Sequence, residues 1–128
     1  MTTAAIHPDL AIATVHQYFS TLNQGAFAQT AALFAQDGVL YPPFEEGVQG
    51  PEAIAAYLSQ EAQGIQIEPL EIDPIPDCPY AFQVKGRVKL SWCQVKAAWK
   101  FVLSPDSAIA SVQIKLLASL QDLLQFRQ

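Results

Sequence analysis

The sequence predicts an α+β domain: three helices in the N-terminal half, packed on a curved antiparallel sheet built mostly from the C-terminal half, with a short C-terminal helix. Three observations carry this. Apolar residues recur at three- and four-residue spacing as far as Gly64 and alternate with polar ones after it. Helix and strand patterns are segregated along the chain, which excludes a doubly wound nucleotide-binding fold. Apolar residues make up 51% of the 128 positions and charged residues 15%, enough to bury one core and too few residues for two.

The elements follow in order. Residues 1–8 read as an N-terminal extension and 9–128 as a single domain. Ala11, Val15, Tyr18, Phe19 and Leu22 form the apolar stripe of a first helix that ends at Asn23-Gln24-Gly25. A second, shorter helix is expected from Phe27 to Ala35, stopping at the turn dipeptide Asp37-Gly38. Val39-Leu40-Tyr41 is a brief strand cut off by Pro42-Pro43, which removes two backbone donors. Gly50-Pro51-Glu52 opens a third helix with proline at its first position and an acid in its first turn, and Gly64 closes it.

Beyond Gly64 the period becomes two. Ile65, Ile67, Leu70 and Ile72 read as one strand bent at Pro69, followed by a proline-rich connection over residues 73–79. From Tyr80 to Trp92, Phe82, Val84, Val88, Leu90 and Trp92 fall on one face, and Lys85, Arg87, Lys89 and Ser91 on the other. Val95, Ala97, Trp99, Phe101 and Leu103 mark the inward face of the next strand. Ser104-Pro105-Asp106-Ser107 then turns the chain into a last strand over Ile109–Leu117. Ser119 caps a terminal helix over Leu120–Phe126, with Asp122 in the capping-box position.

Charge is unevenly distributed. Residues 1–84 hold ten acids and no Lys or Arg, whereas residues 85–128 hold all seven bases and two acids, Asp106 and Asp122. With a net charge of -5 and only two arginines, the chain lacks the basic stripe of a nucleic-acid binder. Lys85, Arg87, Lys89, Lys96, Lys100 and Lys115 should form a ladder on the outer sheet face, either as a solvated surface or as a dock for an acidic partner. The apolar runs are far too short for an integral membrane span. The N-terminal residues carry no Lys or Arg and lead into no apolar stretch, so a cytoplasmic location is expected.

The chemistry-bearing residues are few. Cys78 and Cys93 read as free thiols, and His7 and His16 lie far from them, so no metal site is expected. No glycine-rich phosphate loop is present, and no nucleotide is expected. Neither histidine has a nucleophile or carboxylate at a useful spacing, and the acids sit at helix starts, turns and loops. What remains between helices and sheet is an apolar lining with Tyr18, Trp92 and Trp99. One O–H and two N–H groups can donate into a dry pocket, which suits a long apolar ligand bearing a carbonyl oxygen. The same spacing equally describes plain core aromatics.

Several strings carry a resemblance: Ala32-Leu33-Phe34-Ala35-Gln36-Asp37-Gly38-Val39-Leu40, Pro42-Pro43-Phe44, Gly86-Arg87-Val88, Ala98-Trp99-Lys100-Phe101-Val102-Leu103-Ser104-Pro105 and Leu116-Leu117-Ala118-Ser119. Together with the order of elements they resemble the nuclear transport factor 2-like superfamily, and more narrowly the C-terminal domain of the orange carotenoid protein and its stand-alone homologues. The resemblance implies a cone-shaped fold with an apolar pocket. It further implies non-enzymatic binding of a keto-carotenoid, for transport or photoprotective quenching. By motif position, Tyr18 and Trp99 match the pair that hydrogen-bonds the keto oxygen, and Trp92 matches a pocket-lining residue, with Leu90 and Phe44 beside them. Glu61 matches an acid that pairs with an arginine of a helical pigment domain, which this chain is expected to lack and which is one candidate partner.

Where the family has a Thr-Pro-Trp-Phe-Gly hairpin with a longer turn, this chain has Leu90-Ser91-Trp92-Cys93, and Tyr41 adds bulk before Pro42-Pro43, so its pocket mouth should differ. The ketosteroid-isomerase-like alternative within the superfamily needs a base and an acid, which fall on Pro42 and about Ala97. Neither side chain can transfer a proton, so no enzyme activity is expected. The alternative from another class is a pigment-free subunit that docks an acidic protein through Lys85, Arg87 and Lys89.

Ligand size predicts assembly. A carotenoid is roughly twice as long as such a pocket, and exposed polyene forfeits about 25 cal/mol per Å². A homodimer with facing mouths is the simplest cover. Cys93 lies near the short hairpin, either as an oxidisable thiol coupled to pigment retention or as an inert buried one.

Overall fold

The computed structural model describes residues 8–43, 45–91 and 93–117. Three helices, α1 (Pro8–Asn23), α2 (Phe27–Ala32) and α3 (Pro51–Glu61), pack on one open six-stranded sheet. Its strands are β1 (Phe34–Tyr41), β2 (Val48–Gln49), β3 (Gln66–Ile75), β4 (Cys78–Lys89), β5 (Gln94–Leu103) and β6 (Ile109–Leu117), in the spatial order β2-β1-β6-β5-β4-β3. The expected terminal helix over Leu120–Phe126 lies outside the described residues, as do Phe44 and Trp92.

The core forms where the helical stripe meets the alternating strand faces. Val15, Tyr18, Phe19, Ile54 and Leu58 from the helices meet Val84, Ala97, Trp99, Phe101 and Leu103 from β4 and β5, all buried. The rings interlock edge to face: Tyr18 lies 5.1 Å from Phe101 at 85°, and Phe19 lies 5.1 Å from Trp99 at 88°. Such geometry sets the positive ring edge against the negative ring face. The expected inward set on β5 is observed, with Val95 half-buried at the strand's start.

The structure corrects the sequence reading in four places. Helix α2 ends at Ala32, three residues before the expected end. Phe34 is captured instead by the last strand: the Ile109 amide donates to the Leu33 carbonyl at 2.9 Å, and Phe34 pairs with Ile109. Asp37-Gly38 is no turn. It lies inside β1, at the irregularity between Phe34 and Val39. A Cβ on Gly38 would sit 2.7 Å from the Ile109 carbonyl oxygen, so this glycine serves close backbone approach.

The third correction concerns the sheet, which is mixed: β1 joins β6 in parallel while the other pairings are antiparallel. The two strands lie at opposite ends of the chain, and side-chain alternation carries no strand direction. Fourth, most of the expected proline-rich connection is strand. β3 continues through Pro74 to Ile75, and β4 starts at Cys78. Because β3 is an edge strand, its prolines need not supply a ladder donor. Asp77 takes a left-handed φ of 64° in the tight turn between them. The bend expected at Pro69 is observed as a register shift between Pro69 and Glu71.

Asn23 ties α1 to the sheet. Its Nδ2 donates to the Ile67 carbonyl at 2.8 Å, and its Oδ1 accepts the Ile67 amide at 2.7 Å. This bidentate clasp fixes the start of β3 beside the cavity described below. Asn23→Ala removes both partners and is expected to cost about 1–3 kcal/mol of stability, read as a shift in urea midpoint at constant slope. A shift equivalent to under about 0.5 kcal/mol would show that the clasp is not holding β3.

Candidate ligand-binding site

Between α1, α3 and the inner face of the sheet lies a cavity of about 410 Å³. α1 contributes Tyr18 and Leu22, and α3 contributes Tyr57, Leu58 and Glu61, each set following helical spacing. The floor comes from the central strands, with Val88 on β4, Leu90 just past its end, and Val95 and Trp99 on β5. Pro42 and Pro43 after β1, with Cys93 and Leu116, complete the outer wall.

The inner and outer ends differ in chemistry. Tyr18 and Trp99 are each 1% exposed, whereas Glu61 and Leu116 are exposed, so the aromatic pair marks the closed end and the latter two the mouth. Neither the Tyr18 hydroxyl nor the Trp99 indole N–H has a hydrogen-bond partner among the described residues. Burial, with a smaller contribution from Tyr57, pushes the Tyr18 phenol above its ordinary pKa, which keeps it protonated as a donor. Both side chains line a cavity whose walls are mostly apolar, and both rings also belong to the buried core.

Tyr57 is a polar group that the sequence reading misses, since its spacing marks it only as one more apolar position of α3. Its hydroxyl donates to Glu45 Oε2 at 3.1 Å, joining α3 to the segment that follows β1. Burial, the Glu45 hydrogen bond and the charges of Glu45 and Glu61 push its pKa up to about 12. No signal in the sequence pairs Tyr57 with Glu45, because the partners sit in different elements.

Of the candidate residues, Tyr18, Trp99, Leu90, Glu61 and Cys93 are brought to this one cavity, while Phe44 and Trp92 lie outside the described residues. Lys85, Arg87 and Lys89 project from the other face of β4 and are exposed. Arg87 pairs with Glu68 at 3.5 Å across β3 and β4, both about half exposed, a contact worth at most about 1 kcal/mol. Cys93 is half-buried and Cys78 exposed, both as free thiols. Pro42 lines the cavity and Ala97 is fully buried, so the two positions of the isomerase-like alternative carry no ionisable side chain. Among the described residues no cluster of three or more His, Cys, Asp or Glu could hold a metal ion, and no helix is long and apolar enough to cross a membrane.

An α+β sheet with helices over one face and an apolar cavity between them is the architecture of a small-ligand pocket domain. The nuclear transport factor 2 (NTF2) domain model matches residues 10–114, and the chain belongs to that family. The orange carotenoid-binding protein of Limnospira maxima is 34% identical over 117 residues, 87% of this chain. The chain spans less than two-fifths of the length of the curated relatives it matches, 37% of this one. The solved orange carotenoid protein of Anabaena (Nostoc) sp., a structure binding canthaxanthin, superposes with a TM-score of 0.76 at 32% identity, over 98% of this chain and 40% of that one. A putative ketosteroid isomerase from Kribbella flavida shares the fold at a TM-score of 0.73 and 18% identity, over 87% of this chain and 80% of its own.

Proposed function

We propose that this chain binds a keto-carotenoid, seating the keto-bearing ring between Tyr18 and Trp99 at the closed end of the cavity, for pigment transport or photoprotective quenching rather than catalysis. The observation that carries the reading is the pair of donors in an apolar enclosure, which offers a carbonyl the hydrogen bonds it loses on leaving water. The likeness to orange carotenoid proteins supports the choice of pigment. The residues fit such a ligand: apolar walls hold the ring and polyene, and the two donors fix its orientation.

A pigment longer than the cavity leaves polyene at the mouth, where Leu116 and the neighbouring Tyr41 are 42% exposed. A second copy placed mouth to mouth covers it, with Cys93 near that contact as a candidate redox control and Glu61 as a candidate contact to a helical pigment domain. Expression in the cytoplasm of a keto-carotenoid-producing host, the compartment we assign to the protein, should give coloured protein whose mass by light scattering is that of a dimer. Colourless protein would overturn the pigment reading, and a pigment-loaded monomer would overturn the shared-mouth dimer.

A second reading is favoured by one observation: Lys85, Lys89, Lys96, Lys100 and Lys115 are all exposed on the sheet face opposite the core. Such a surface suits an acidic protein assembly. Lys85→Glu with Lys89→Glu is then expected to weaken partner binding at least about tenfold, with a steep salt dependence in the parent. Unchanged binding would make the face a solvated surface only.

A further inference from the structure

Two properties of the cavity bear on what one chain holds unaided: its volume and the sign of charge at its mouth. At interior packing density, about 0.75, a 410 Å³ space accepts roughly 300 Å³ of molecule, on the order of twenty carbon-sized atoms, or half a carotenoid skeleton. A molecule of that size matches the volume that a single chain offers, with its far end at the mouth.

The lining is apolar apart from the Tyr18, Tyr57 and Trp99 groups, the Cys93 thiol and one carboxylate, that of Glu61. No Lys or Arg is among the lining residues. Glu45, Glu46 and Lys115, all exposed, lie together on the adjoining surface beyond Pro42-Pro43, so among the described residues Glu61 is the one charged side chain on the cavity lining itself. A ligand whose ketone ring sits at the closed end therefore directs its far end toward the Glu61 carboxylate. Like charges across a few ångströms of partly solvated mouth disfavour an anionic end group and leave a neutral one unaffected.

Resting on the ring-ketone orientation proposed above, we infer that a single chain is a one-to-one binder of neutral, ring-keto polyenes of about half-carotenoid length, and that Glu61 is the residue that discriminates against their carboxylic-acid forms. The class is that of the aldehydes and ketones left when a ring-keto polyene is cleaved oxidatively near its middle, together with the alcohols formed when a hydride donor then reduces the aldehydes. The chemistry that selects it is a carbonyl at one end, an apolar middle and no negative charge at the other. In this state no second copy is needed, because the polyene extends no further than the mouth.

The test uses the ligand-free protein with two matched probes, ring-keto retinol and ring-keto retinoic acid, followed by quenching of tryptophan fluorescence and by light scattering. Ring-keto retinol is expected to bind one per chain with the mass of a monomer, about five- to tenfold more tightly than the acid at low salt, the preference shrinking as salt is raised. Glu61→Gln, checked for unchanged circular dichroism, should bring the two probes within about twofold by strengthening binding of the acid alone. Failure of ring-keto retinol to bind a protein that does take up a full-length keto-carotenoid would overturn this inference and leave the carotenoid reading standing. Failure of both ligands would overturn both. Retinol binding without carotenoid binding would sustain the inference and overturn the longer pigment. Equal affinity for alcohol and acid, or a preference that survives Glu61→Gln, would remove the role assigned to Glu61.

Discussion

Phe101→Ala is expected to lower the unfolding free energy by about 3–5 kcal/mol, the largest stability effect of any single substitution proposed for this chain. Phe101 is fully buried, and its ring meets Tyr18 at 5.1 Å and Phe19 at 5.7 Å. Those contacts join α1 to β5, so truncation empties the junction of the two layers. Leu103 and Val112 are buried in the same core on neighbouring strands, which have little freedom to collapse into the gap. Urea unfolding at constant slope reads the loss directly. A change under about 1 kcal/mol would show that the aromatic cluster is not the junction holding helix to sheet.

The largest expected effect on binding belongs to Tyr18→Phe combined with Trp99→Phe. Each donor to a buried carbonyl is worth about 1–1.5 kcal/mol, so losing both should weaken a ring-keto ligand by about 30- to 150-fold. Tyr18→Phe alone is the cleaner arm, since it removes an oxygen and leaves the ring packed against Phe101. Trp99→Phe also opens space beside Phe19, and its stability cost must be measured alongside. A ligand lacking the ketone should lose nothing from Tyr18→Phe. If keto and non-keto ligands weaken equally, the hydroxyl is not the carbonyl's partner and these rings act through packing.

What is legible in the sequence follows from which interactions are local. The stripe from Ala11 to Leu22 encodes one helix and the alternation from Phe82 to Leu103 two strands, each with the face it buries, so residue spacing alone assigns Tyr18 and Trp99 to facing layers. Gly50-Pro51 marks the start of α3 because proline at a helix's first position is a local signal. Phe34 defeats a local reading because its own neighbours favour helix while a strand some 75 positions away claims it, through the Phe34↔Ile109 pairing. The prolines of residues 73–79 mislead because their effect depends on whether the strand is central or at an edge, which only the assembled sheet decides. Tyr57 escapes notice for a related reason: its bond to Glu45 exists only once α3 and the segment after β1 are in place.

The outer face shows the same limit. Alternation alone places Lys85, Arg87 and Lys89 correctly on the solvent side of β4, yet nothing local reveals that Glu68 of β3 lies opposite Arg87 and takes up its charge.

The proposal that this cavity houses a keto-carotenoid is tested most directly by the visible absorbance of the protein isolated from its native cell. A bound pigment predicts a structured band in the blue-green that copurifies with the chain and collapses in Tyr18→Phe/Trp99→Phe. Protein that is colourless when isolated from pigment-replete cells, and stays colourless after mixing with keto-carotenoid, would contradict it.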